Sequence, residues 1–171
     1  ACVQVVFRRR EELDPELARE VEELRQRDPA TGLLNRPTFM RMLEDAVAAV
    51  GRDGGQYGFL LLEPDHYARL LPDIRLDAAD VLAAALAERV RSAVDAQARV
   101  ARFGEHSFAV LLEGNHARTR ATADALREAL SSEVLGVGER SLAVTASIGG
   151  VPVGEKIASV AQILAKASQN L

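Results

Sequence analysis

The sequence predicts an α+β domain with a β-α-β-β-α-β core, extra helices at both ends and an N-terminal linker helix. Three observations carry this. Short aliphatic and β-branched runs recur at Tyr57–Glu63, Arg99–Phe103, Phe108–Leu112 and Leu142–Ile148. Helical periodicity fills the first and last of the intervals between them. The middle interval holds only Gly104-Glu105-His106-Ser107, which is hairpin spacing. This is the split βαβ, ferredoxin-like order, in which the core helices share one face of the sheet. Many unrelated functions use that arrangement, so the residues must decide among them.

The elements follow in order. Cys2–Phe7 is β-branched but too short to fold alone, and Arg8-Arg9-Arg10 follows it. This stretch, 1–13, is expected to be the end of a preceding domain or a tail. Asp14-Pro15-Glu16 starts a helix, with Asp as cap and Pro in the first turn. Leu17, Val21 and Leu24 then form a narrow apolar seam among charged residues. Such a seam suits pairing with another helix, and equally a connector packed on its own domain. The linker therefore spans 14–27 and the main domain 28–171. Within that domain, Asn35-Arg36-Pro37 opens a helix with Phe39, Met40, Leu43, Val47 and Val50 on one face. Further helices are expected near Asp77–Ala96, near Ala117–Leu130, and from about Lys156 to the C-terminus.

Composition removes several function classes. Hydrophobic residues are 48% and charged residues 27%, with no apolar run of about 20 residues and no signal-peptide pattern. No membrane insertion is expected. The single cysteine, Cys2, cannot form an internal disulfide or a cysteine-rich zinc site and fits a reducing, cytoplasmic compartment. A net charge of -4 and 4% aromatics argue against nucleic-acid binding, which needs phosphate neutralisation and stacking surfaces. The chain opens at Ala1-Cys2 and stops inside a helical pattern, so it is expected to be part of a longer protein.

Four segments carry a resemblance. They are Asp28-Pro29-Ala30-Thr31-Gly32-Leu33-Leu34-Asn35-Arg36, Leu61-Leu62-Glu63-Pro64-Asp65-His66-Tyr67, Arg102-Phe103-Gly104-Glu105-His106-Ser107-Phe108 and Val144-Thr145-Ala146-Ser147-Ile148-Gly149. In this order and spacing they resemble the lead-in, first-strand, signature-hairpin and last-strand motifs of the GGDEF (diguanylate cyclase) family. The resemblance implies a nucleotide-cyclase type of ferredoxin-like core. In that family, facing GTP-loaded domains make cyclic di-GMP, and two carboxylates hold divalent metal at the triphosphate. Magnesium prefers oxygen ligands, so carboxylates are the residues that chemistry needs.

Carried over residue by residue, the resemblance implies a degenerate site. The first metal carboxylate falls on Glu63, one methylene longer than the usual Asp, with Asp65 beside it. The second falls on His106, a poor magnesium ligand when neutral. Ser107 replaces the next signature acid, and Glu105 replaces a glycine that lets the backbone approach the nucleotide. Gly104 and Phe108 keep their letters. The guanine-reading Asn corresponds to Leu71, while its second guanine contact is kept as Asp80. A lysine position reads Ala68, after Tyr67. Losing one hydrogen-bonding partner costs about 1–3 kcal/mol, so no catalytic residue, no nucleotide site, no metal site and no cofactor are expected. The family's R-x-x-D product site corresponds to Asp95 and Ala98, and neither fits. Asp28, Arg36 and Arg102 are expected to be structural, with Asp28 and Arg36 forming a salt bridge. His106 reads as an exposed turn histidine, rather than as a transition-metal ligand or pH sensor; His66 and His116 receive no role.

The resulting expectation is an inactive GGDEF domain that transmits, dimerises or positions its neighbours in cyclic di-GMP signalling. Its partners would be a PAS-like domain upstream, an EAL-like domain downstream and a second copy through the 14–27 helix. A FimX-type PAS-GGDEF-EAL arrangement would connect it with type IV pili and twitching motility. The alternatives are a GTP-sensing module and a weakly active cyclase.

Overall fold

The computed structural model describes residues 14–70, 78–154 and 159–171. The readings placed on Cys2–Phe7, Arg8–Arg10, Leu71 and Lys156 lie outside these residues. Pro15–Arg25 (α1) starts where the Asp14 carboxylate accepts from the Glu16 N–H at 3.1 Å. Arg36–Asp53 (α2) is capped by the Asn35 side chain and ends at Gly54, whose φ of 70° gives the left-handed turn that stops a helix. Tyr57–Pro64 (β1) leads to a single turn, Tyr67–Leu70 (α3), and then Ala78–Ala93 (α4) follows. Arg99–Arg102 (β2), Phe108–Glu113 (β3) and His116–Ser131 (α5) come next. A small ribbon, Leu135–Val137 (β4) with Arg140–Leu142 (β5), precedes Ala146–Val153 (β6) and Val160–Asn170 (α6).

Four strands pair antiparallel in the order β2-β3-β1-β6, which is the ferredoxin-like order. β1 lies in the centre and is buried on both faces, which explains its unbroken apolar run. Leu60, Leu62, Phe108 and Val110 join Leu82, Leu86, Leu126 and Leu130 in one core, under α4 and α5. Phe59, Leu61, Ala109 and Leu111 join Phe39, Leu43, Val50, Ile163 and Ala167 in the other. The two core helices thus share a face as expected, and the added helices α2 and α6 cover the opposite one.

The last strand departs from its expected bounds. Gly138 adopts a φ of 61° and turns β4 into β5, so Leu142 pairs with Leu135 rather than with the main sheet. β6 begins four residues later, at Ala146, and continues through Gly149 and Gly150 to Val153. The ribbon is tied down by Arg89 of α4. Its guanidinium donates to the Glu133 carbonyl at 2.6 Å and the Val134 carbonyl at 2.8 Å, just beyond the end of α5.

α1 buries no residue, and Leu17, Val21 and Leu24 are 46%, 39% and 73% exposed. The reading of this helix as a connector packed on its own domain is therefore overturned. Its seam faces outward.

Candidate functional site

The lead-in loop organises itself around Asp28. Its carboxylate accepts from the Thr31 N–H at 3.0 Å and the Thr31 hydroxyl at 2.8 Å, an arrangement in which a short acid folds its own turn. Gly32 donates back to the Asp28 carbonyl at 2.8 Å. The loop then runs beside β2, with the Arg102 N–H donating to the Leu34 carbonyl at 3.0 Å. This places the Arg102 guanidinium 3.5 Å from Asp28 and 2.9 Å from Asp80, while it also donates to the Glu105 carbonyl at 2.8 Å. One half-buried arginine therefore joins the loop, the start of α4 and the hairpin.

The expected Asp28–Arg36 salt bridge does not form. Asp28 is already supplied by Thr31 and Arg102. Arg36 instead lies 4.2 Å over the Phe103 ring and donates to the Phe103 carbonyl at 3.4 Å. Asn35 joins the linker to the domain. Its Oδ1 caps α2 through the Thr38 N–H at 3.1 Å, its Nδ2 donates to the Arg25 carbonyl at 2.7 Å, and its N–H donates to the Gln26 carbonyl at 2.9 Å.

The other residues gather at the end of β1. Asp65 accepts from the Thr145 hydroxyl at 2.7 Å on one oxygen and from the Ser147 hydroxyl at 2.6 Å on the other. These bonds hold its carboxyl below the ordinary value of 3.8, Ser147 first and Thr145 second, against a smaller opposing effect of burial. Glu63 lies opposite Ser147 in the register of β1 and β6. Ala68 is exposed on α3 and contributes no polar group.

His106 is not the exposed turn histidine expected. It is half-buried and stacks on Tyr67, with ring centroids 4.1 Å apart and planes 16° from parallel. The hairpin brings it there because Ser107, itself buried, accepts from the Phe103 N–H at 2.8 Å and the Gly104 N–H at 3.3 Å, which tightens the turn. Phe108 is fully buried in the core and anchors β3. Tyr67 Oη and His106 Nδ1 are enclosed without hydrogen-bond partners among the described residues. Burial, reinforced by Glu105 and Asp80 and opposed by Arg102, pushes the Tyr67 phenol up. Glu105 is exposed at the hairpin tip. Asp95 pairs with Arg118 at 2.7 Å and, with Ala98, lines a groove of about 440 Å³ beside Arg27, Arg91 and Arg99. Among the described residues no group of three or more His, Cys, Asp or Glu side chains could hold a metal ion.

The Asp65 geometry gives a signed expectation. Its folded pKa is depressed, so its contribution to stability is present above the unfolded value and is lost as pH falls through the lower folded value. In Thr145→Val/Ser147→Ala the side-chain NMR titration of Asp65 should move up toward the ordinary value. An unchanged titration would mean that the hydroxyls do not set it.

A family model described as diguanylate cyclase, GGDEF domain, matches residues 25–171. Diguanylate cyclase DgcP of Pseudomonas aeruginosa is 32% identical over 123 residues, covering 71% of this chain and 18% of that protein. The bifunctional diguanylate cyclase/cyclic di-GMP phosphodiesterase MucR of the same organism is 31% identical over 134 residues, covering 77% and 19%. The chain thus spans about a fifth of the length of these curated relatives. The crystal structure of the FimX GGDEF domain from Pseudomonas aeruginosa aligns with a TM-score of 0.79 at 27% identity, over 85% of this chain and 90% of that one.

Proposed function

The chain belongs to the GGDEF (diguanylate cyclase) family, and from that premise we propose that it is a non-catalytic member, acting in cyclic di-GMP signalling as a module that connects and positions other domains. One observation carries the reading: His106, at the position of the second metal carboxylate, lies flat on Tyr67 instead of offering an anion. The remaining donors do not fit a divalent cation carrying a triphosphate. Both oxygens of Asp65 are engaged by the Thr145 and Ser147 hydroxyls, which leaves Glu63 without a second open carboxylate beside it on β1. Asp80, the one guanine contact that survives in the sequence, is engaged by Arg102. Glu105 adds negative charge at the hairpin tip, which opposes a polyphosphate.

The retained residues support a scaffold role. Asp28, Arg36 and Arg102 each join the lead-in loop or α2 to the hairpin, without needing a nucleotide between them. Asn35 transmits the direction of α1 into the domain. We assign residues 14–27 as a linker that also pairs two copies, and 28–171 as the domain it serves. Residues 1–13 would end a PAS-like domain and an EAL-like domain would follow, an order that would suit control of type IV pili and twitching motility. Calorimetric titration with GTP and Mg²⁺ or Mn²⁺ is the test of the site. The expected result is no heat of binding. Binding without turnover would instead make the domain a GTP sensor and overturn the scaffold reading.

A further inference from the structure

We propose that the outer edge of β6 takes an extended segment of a partner protein as an added strand, one carrying an aliphatic side chain and a carboxylate two residues apart. β6 is the last strand of the sheet, at the opposite edge from β2, so this surface is separate from the hairpin site. Register fixes which backbone groups are free. The Asp65 N–H donates to the Thr145 carbonyl at 2.8 Å, which sets the odd-numbered residues of β6 toward β1. Ala146, Ile148, Gly150 and Pro152 therefore turn their backbone groups outward. Pro152 fits this parity, since a residue without an N–H costs the sheet nothing on its free side.

Two features close part of this edge. Pro152 offers no donor, and Asn170 of α6 donates its Nδ2 to the Gly150 carbonyl at 3.1 Å. Between Ala146 and Gly150 the edge stays open, with no other outward backbone bond among the described residues. The N–H groups of Ile148 and Gly150 and the carbonyls of Ala146 and Ile148 thus form a short template. Such a row of unpaired groups pairs readily with another extended chain. Ile148 is half-buried and Gly150 is exposed, so the edge can be reached.

The face beside that edge selects the side chains. Gly150 lies opposite Leu60 and has no side chain to cover it. A pocket of about 230 Å³ opens there, lined by Leu60, Ala123, Val151 and Pro152, with the exposed His116 and Arg120 of α5 beside them. The apolar part suits an aliphatic side chain. His116 and Arg120, four residues apart on one helix face, favour a carboxylate next to it. Arg120 forms no ion pair among the described residues, and the first acid along α5, Asp124, is paired with Arg127 at 3.7 Å. Side chains of a strand alternate between faces, so the anchor and the carboxylate fall two residues apart. A second copy of this chain fits less well. Pairing the two β6 edges would bring both basic rims to one face of the joined sheet, like charge against like.

Amide NMR titration of the full chain with the peptide acetyl-Thr-Thr-Leu-Thr-Glu-Thr-Thr-amide tests this, with circular dichroism to confirm that each variant is folded. The peptide should shift the Ile148 and Gly150 amides and, at saturation, slow their hydrogen exchange by about 10-fold or more, because both become bonded. The same peptide with Lys in place of Glu should bind about 10-fold more weakly, and Arg120→Glu should reverse that preference. Gly150→Ala sets a methyl group 3.1 Å from the Leu60 Cδ2, within the pocket, and should weaken the native peptide by about 10-fold. Three results would overturn the proposal: no shift at β6 with either peptide at millimolar concentration, binding that leaves exchange at Ile148 and Gly150 unchanged, or equal affinity for both peptides. Exchange at β6 that slows with protein concentration alone would assign the edge to a second copy and overturn it as well. None of these outcomes depends on whether the domain binds GTP, so this inference and the scaffold reading fail separately.

Discussion

Gly149→Ala is expected to destabilise the fold by about 3 kcal/mol, the upper end of the cost of forcing atoms into a packed interior. A Cβ at that position would collide with the Ala167 carbonyl oxygen of α6, which is backbone and cannot rotate away. Gly149 is therefore what lets α6 lie directly against β6 and close the second core over Val151 and Ile163. Gly150→Ala is the control. Its Cβ would approach only the Leu60 Cδ2, at 3.1 Å, and a side-chain tip can move. Urea denaturation should show a large loss for the first variant and a loss under about 1 kcal/mol for the second. Equal losses would mean that α6 does not dock as described.

Arg102→Ala should cost about 2–3 kcal/mol, while Asp80→Ala should cost under about 1 kcal/mol. The asymmetry comes from burial. The Arg102 and Asp28 side chains are 12% and 19% exposed, whereas Asp80 is 57% exposed. Removing the arginine strands a shielded carboxylate and frees the hairpin from the loop. Removing Asp80 releases only a solvated partner, and Arg102 keeps its other two bonds. Thermal or denaturant unfolding of both variants measures the difference. Similar losses would show that the Asp80 pair, rather than the loop closure, is what Arg102 serves.

Much of this fold is legible in the sequence because its signals are local. The hairpin spacing, the Asp14 cap and the apolar run of β1 each point to one element, and each element is there. The β4–β5 ribbon is harder to read, since Leu142 to Ile148 is an unbroken strand-like run, yet Leu142 ends β5 and β6 starts only at Ala146. Site residues were legible by position but not by contact. The sequence places His106 at a hairpin tip, and tips are usually solvated; the stack forms because a one-turn helix after β1 aims Tyr67 at it. The pairing of Asp28 likewise depends on which arginine the sheet brings near, and β2 delivers Arg102 while Arg36 turns toward Phe103. Arg89 carries no local signal at all, since its acceptors are carbonyls more than 40 residues away.

We have proposed that this domain keeps the cyclase scaffold for connection without its chemistry. The deciding measurement is incubation of the purified, folded protein with GTP and either Mg²⁺ or Mn²⁺, followed by chromatographic analysis of the products. The expected result is GTP recovered unchanged with no cyclic di-GMP. Formation of cyclic di-GMP by the native sequence, with Glu105, His106 and Ser107 in place, would contradict it.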